Sequence, residues 1–231
     1  MKPLITVPIQ ASSPAQIEKA LRSGRKEVAA YEIWLDCLLK QDLSPERVEE
    51  LVRHWKKVGK KKLVIVCKEK LENGHFTGTQ AEKIEILAAA ARGGADYIDV
   101  GMLGKDETIG TVGKRRKKAK IIVSFHDFNK TPQMPRLLSL AKKMQEWGAD
   151  IVKIATFVNT LEDNQRLIEL ALRLKQEKQK HIILGMGEKG MVTRILGQKL
   201  GNELQFVSLD VSTAPGQLTL AQAIQFQNVL K

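Results

Sequence analysis

Gly148 to Phe157, GADIVKIATF, is the stretch whose reading decides the fold. Ile151, Val152, Ile154 and Ala155 make a near-continuous apolar run, the mark of a strand covered on both faces. Lys153 stands in the middle of that run. Burial there disfavours the ammonium form and pulls the pKa of the amine down. A partly neutral amine is what a carbonyl compound needs in order to form an imine. The other reading is a lysine whose stem packs inside while its head escapes at the strand end. The rest of the chain decides between them.

Working outward, short apolar runs alternate with helical patterns. The strands are expected at Leu4–Ile9, Val28–Leu35, Leu63–Cys67, Tyr97–Val100, Ile121–Phe125, Ile151–Ala155, Ile182–Met186 and Phe206–Leu209. Helices follow Ser13-Pro14, Ser44-Pro45-Glu46 and Thr79, each a residue that caps a helix start, the first two with proline in the first turn. Glu82 lies at capping-box distance from Thr79. Further helices are expected over Gln133–Trp147, Leu161–Lys178, Met191–Leu200 and Leu220–Leu230; the Gly- and Lys-rich segment between the fourth and fifth strands has the weakest helical pattern. Gly94-Ala95-Asp96 before the fourth strand is echoed by Gly148-Ala149-Asp150 before the sixth, a glycine ending a helix and an acid opening a strand. This alternation describes an α/β chain, a (β/α)8 TIM barrel forming one catalytic domain over residues 1–231. An open doubly wound sheet is the competing architecture. The first strand–helix turn has no G-x-G-x-x-G, so a dinucleotide site lacks support.

Composition narrows the function. The 231 residues are 43% hydrophobic, with no run of membrane-spanning length and no signal-peptide pattern at the start. Cys37 and Cys67 each lie in or beside an apolar run and read as reduced thiols, which suits the cytoplasm. No set of Cys and His residues has metal-ligand spacing, so no metal is expected. The net charge of +12 invites a nucleic-acid reading, with blocks at Lys56–Lys62 and Lys114–Lys118. Aromatics are only 5%, however, and no stacking motif accompanies the blocks. Both lie where a helix runs out, where cations complement its dipole.

In a barrel, catalytic groups stand at the C-terminal ends of strands. That rule collects Glu32, Lys68, the Glu72-Asn73-Gly74 loop, His126-Asp127, Lys153, the GMGEKG turn from Gly185 with Arg194 beyond it, and Thr213 to Gln217. With SFHDFNKTP (Ser124–Pro132), GADIVKIA (Gly148–Ala155), the MG–G–(S/T)R pattern at Met186 to Arg194 and the APGQ ending at Gln217, the chain resembles the type I 3-dehydroquinate dehydratases. These are the Schiff-base dehydratases of the shikimate pathway.

The resemblance implies that Lys153 forms an imine with the ketone of 3-dehydroquinate. It implies that His126 removes the neighbouring proton and assists loss of hydroxyl as water, with Glu72 orienting and polarising it. Arg194 would pair with the substrate carboxylate, Glu32 with a hydroxyl, and Thr213 and Gln217 would belong to a closing loop. Lys68 would face the substrate, no cofactor is needed, and a homodimer is the family expectation.

The chain also departs from the family pattern. Trp34 replaces the arginine of E-x-R-x-D, Lys68 replaces the arginine after Cys67, and Gly101 replaces an acid after D-x-x-D-V. Lysine cannot reproduce a bidentate guanidinium contact. The expectation is the same reaction with weaker binding, improved by restoring arginine at position 34 or 68. Two other readings stay open at this stage: a class I aldolase-like enzyme with another carbonyl substrate, and a basic nucleic-acid-binding barrel.

Overall fold

The computed structural model describes residues 2–38, 43–102, 106–209 and 216–230. In chain order the elements are β1 (Leu4–Ile9), α1 (Pro14–Arg22), β2 (Ala30–Trp34), α2 (Pro45–Gly59), β3 (Lys62–Val66), α3 (Gln80–Arg92), β4 (Tyr97–Gly101), α4 (Asp106–Arg115) and β5 (Lys120–Asp127). There follow α5 (Met134–Glu146), β6 (Ile151–Phe157), α6 (Leu161–Gln176), β7 (His181–Met186), α7 (Met191–Ile195), α8 (Gly197–Leu200), β8 (Leu204–Ser208), β9 (Leu218–Thr219) and α9 (Leu220–Val229). The chain divides into two compact units, Pro8–Val123 and Met1–Val7 with Ser124–Lys231.

In the unit Pro8–Val123, β2, β3 and β4 are parallel neighbours. Their register sets Glu32 beside Val64, and puts Trp34, Val66 and Asp99 on one level. Helices α1 to α4 pack side by side here, with α3 against β3 and β4. Gly59 of α2 meets Leu21 of α1, and a Cβ on Gly93 would lie 2.7 Å from the Glu49 carbonyl oxygen. That close approach, with Ala88 to Ala91 buried, lets α3 lie tightly against α2. The expected dipole role of the basic blocks holds, since Lys56 and Lys57 fill the last turn of α2 and Lys114 and Arg115 that of α4. Some of this charge is paired: Lys56 with Asp96, and Arg115 with Glu85.

In the other unit β5, β6 and β7 are consecutive, and β1, β8 and β9 form a second parallel run. Ile151, Val152 and Ile154 are completely buried, so β6 is covered on both faces as its composition requires. Thr131 ties the segment after β5 to the end of β6: its hydroxyl donates to the Phe157 carbonyl at 2.9 Å.

Several boundaries differ from the sequence reading. β2 starts at Ala30 rather than Val28, and Leu35 opens a 3-10 turn, Leu35–Leu38. The uncertain segment before β5 is a helix, α4. The single helix expected over Met191–Leu200 breaks into α7 and α8, where Gly197 closes on Asn202. The Asn202 amide in turn brackets Ile183, accepting from its N–H at 2.9 Å and donating to its carbonyl at 3.0 Å. β9, a two-residue strand paired with the end of β8, had no pattern long enough to predict it.

The Thr79–Glu82 capping box is present in both directions. Thr79→Ala should therefore cost about 1 kcal/mol of stability, read as a lower denaturation midpoint with an unchanged m-value.

Candidate active site

Lys153 lies mid-strand in β6 and is 4% exposed. Its Nζ sits 4.5 Å from the centroid of the Phe206 ring, on β8. The head therefore does not escape to bulk solvent, and the reading of a lysine whose head reaches water at the strand end is set aside. His126 lies within β5 rather than beyond it, because the strand continues to Asp127. There Asp127 stops the strand: its Oδ1 accepts from the N–H groups of Asn129 and Lys130 at 3.0 and 3.1 Å, an Asx turn. The His126 imidazole is half-buried and lies nearly parallel to the Phe128 ring, 6.0 Å away between centroids.

Arg194 is brought inward by the turn after β7. Gly185 and Gly190 touch there, since a Cβ on Gly190 would lie 2.6 Å from the Gly185 carbonyl carbon. Thr193 locks the turn, accepting from the Gly185 N–H at 2.7 Å and donating to the Gly190 carbonyl at 2.9 Å. Arg194 is 6% exposed, and its Nε donates to the Gly185 carbonyl at 3.0 Å. Burial lowers its pKa to about 10, so the guanidinium is cationic at neutral pH. A small cavity beside it is lined by Leu184, Leu204, Gln205 and Phe206 among others, so Phe206 faces both Arg194 and Lys153. Gln217 is buried, and Gly216 before it fits against the Gly187 carbonyl, where a Cβ would come within 2.2 Å. Its φ of +72° independently favours glycine. Thr213 lies outside the described residues.

The unit Pro8–Val123 gathers Glu32, Lys68 and Glu72, all buried. The indole Nε1 of Trp34 donates to Glu32 Oε2 at 2.8 Å. Lys68 Nζ lies over the same ring, 5.1 Å from its centroid. Trp34 is thus both a donor to the acid and a platform for the cation. The loop bearing Glu72 is fixed by Asp36, whose two oxygens accept from the N–H groups of Lys68 at 2.9 Å and His75 at 3.1 Å. Asn73 takes a left-handed conformation (φ +65°), and a Cβ on Gly74 would lie 2.2 Å from the Lys68 carbonyl oxygen. The Asn-Gly pair after Glu72 is therefore a steric requirement of this turn.

Sequence reasoning missed three features. Lys83, hidden in an amphipathic helix pattern, is 1% exposed and pairs with Glu69 at 2.9 Å and Glu72 at 3.9 Å. Asp99 is 1% exposed in β4, and an acid inside an apolar strand was the available signal. Asp36, Cys37 and His75 bring one possible ligand atom each within 4.8 Å of one another, a grouping that spacing along the chain does not reveal.

The family model for type I 3-dehydroquinase matches residues 5–231. A 3-dehydroquinate dehydratase of Coxiella burnetii is 31% identical over 217 residues, covering 94% of this chain and 88% of that protein. One from Methanococcus vannielii is 34% identical over 236 residues, covering 99% and 100%. The solved type I 3-dehydroquinate dehydratase of Clostridium difficile superposes with a TM-score of 0.89 at 26% identity, covering 99% of this chain and 92% of that one. The fold class is accordingly the expected α/β TIM-barrel type. With the family model spanning residues 5–231, the chain belongs to the type I 3-dehydroquinases.

Proposed function

We propose that this chain converts 3-dehydroquinate to 3-dehydroshikimate and water through an imine on Lys153. The observation that carries the reading is a lysine 4% exposed in the middle of an apolar strand of a chain in this family. The Lys153 amine adds to the ketone and one water departs, leaving a protonated imine. That imine draws electrons from the neighbouring carbon, whose proton His126 takes. The electron pair then expels the hydroxyl one carbon further on, and His126 returns its proton to make water. Hydrolysis of the imine consumes one water and restores the lysine. The net change is loss of one water, with no oxidant or reductant required.

Arg194, cationic and buried, suits the substrate carboxylate. Glu32, held by the Trp34 indole, and Lys68 suit hydroxyls. Glu72 is assigned the acid that works with the histidine, while Thr213 and Gln217 are assigned to the closing segment. We read the protein as a cytoplasmic enzyme acting on this small molecule, a reading that its two free cysteines support, with a homodimer as the family expectation. The basic blocks complement helix ends and are partly paired, which supports a surface role rather than nucleic-acid binding.

The test is conversion of 3-dehydroquinate, followed by the absorbance of the conjugated product. Lys153→Ala should abolish turnover, and His126→Ala should lower kcat by about 10²- to 10⁴-fold. Failure of the unaltered protein to turn over 3-dehydroquinate, together with cleavage of a phosphorylated aldehyde adduct, would move the reading to an aldolase.

A second prediction concerns Trp34. Trp34→Phe keeps an aromatic ring near Lys68 and removes the indole N–H that donates to Glu32, so KM should rise roughly fivefold, the equivalent of one hydrogen bond, with kcat nearly unchanged. An unaltered KM would show that the indole N–H does not serve binding. Because Lys68 rests on the Trp34 ring, the two positions form a unit, and arginine restored at both should improve kcat/KM more than at either alone.

A further inference from the structure

We propose that Lys83 is a positioning residue that holds the Glu72 carboxylate in place, in space that Gly101 leaves open for it. The inference rests on the reading of Glu72 as the working acid.

Two observations converge. Lys83, in the first turn of α3, is 1% exposed, and its Nζ reaches Glu69 Oε1 at 2.9 Å and Glu72 Oε2 at 3.9 Å. A buried ammonium is tolerated only when paired, and this one has the Glu72 carboxylate as a second partner. Next, a Cβ added to Gly101 would lie 2.1 Å from Glu72 Oε1 and 2.2 Å from Oε2. The carboxylate is therefore packed directly against the bare backbone at the end of β4, and any other residue there would displace it.

The charges facing this lysine explain why a cation is needed. Glu69 and Glu72 come from the turn after β3, Asp36 lies at the turn after β2, and the Cys67 thiol lies at the end of β3. From α3 itself Gln80 donates to Glu69 at 2.7 Å, and Thr108 of α4 donates to Gln80 at 3.2 Å. The thiol is pushed far up by burial and then by Asp36, so it contributes no charge. Burial pushes the Glu69 carboxyl up, but its bonds from Lys83 and Gln80 outweigh that and hold it below the usual range. Without Lys83, the Glu69 and Glu72 carboxylates would lose the buried counter-charge they share.

A purely structural lysine would do no more than tether α3 to the loop. Lys83→Met removes the cation and leaves Glu69 and Glu72 without their buried counter-charge, so a lower melting temperature is expected, and kinetics on the folded variant separate the two roles. On the full-length protein, steady-state kinetics with 3-dehydroquinate well below that melting temperature should show kcat about tenfold lower. KM should hold. Lys83→Arg, which keeps the cation, should retain most of kcat. Gly101→Ala provides an independent arm: it should depress kcat by displacing Glu72 while leaving Lys83 intact. An unchanged kcat in Lys83→Met, or unchanged kcat in Gly101→Ala should the former not fold, overturns the inference. Absence of dehydratase activity in the unaltered protein would instead overturn the reading of the site on which it rests.

Discussion

The structure depends on one constraint: an amine is buried in a strand that must be apolar on both faces. β6 can be covered on both sides only because its other residues are Ile151, Val152, Ile154 and Ala155. The proposed imine chemistry uses that buried amine. Neighbouring features follow from holding that strand still. Thr131 fastens the segment after β5 to the end of β6, and the Asx turn at Asp127 fixes where β5 stops. Phe206 packs against the amine from β8.

Two strand ends each hold a buried acid against a close partner. At the end of β2 the indole of Trp34 supplies one donor to Glu32 and a flat face to Lys68. A guanidinium would offer both donors and charge, whereas the indole orients without bidentate strength. At the end of β4 the bare backbone of Gly101 leaves room for the Glu72 carboxylate, which has Lys83 as its counter-charge.

Much of this was legible in the sequence. Apolar runs located every principal strand, and Ser-Pro and Thr-x-x-Glu pairs located helix starts, because caps are local and depend on a few adjacent residues. Lys153, Glu32 and Glu72 could be picked out because a charge inside or just after an apolar run is conspicuous. Lys83 could not: on a helix, a lysine one turn in reads as solvated, and only the packing of α3 shows that it points at two carboxylates. The dual role of Trp34 was equally hidden, since a tryptophan in an apolar run reads as core. The break between α7 and α8 depends on Asn202 reaching back to β7, a contact between residues distant along the chain.

Borohydride trapping during turnover of 3-dehydroquinate, followed by intact mass and peptide mapping, tests the central claim most directly. The account predicts one stable adduct, located on Lys153 and lighter than a substrate-derived adduct by one water. Turnover without any adduct, or an adduct placed on another lysine, would contradict it.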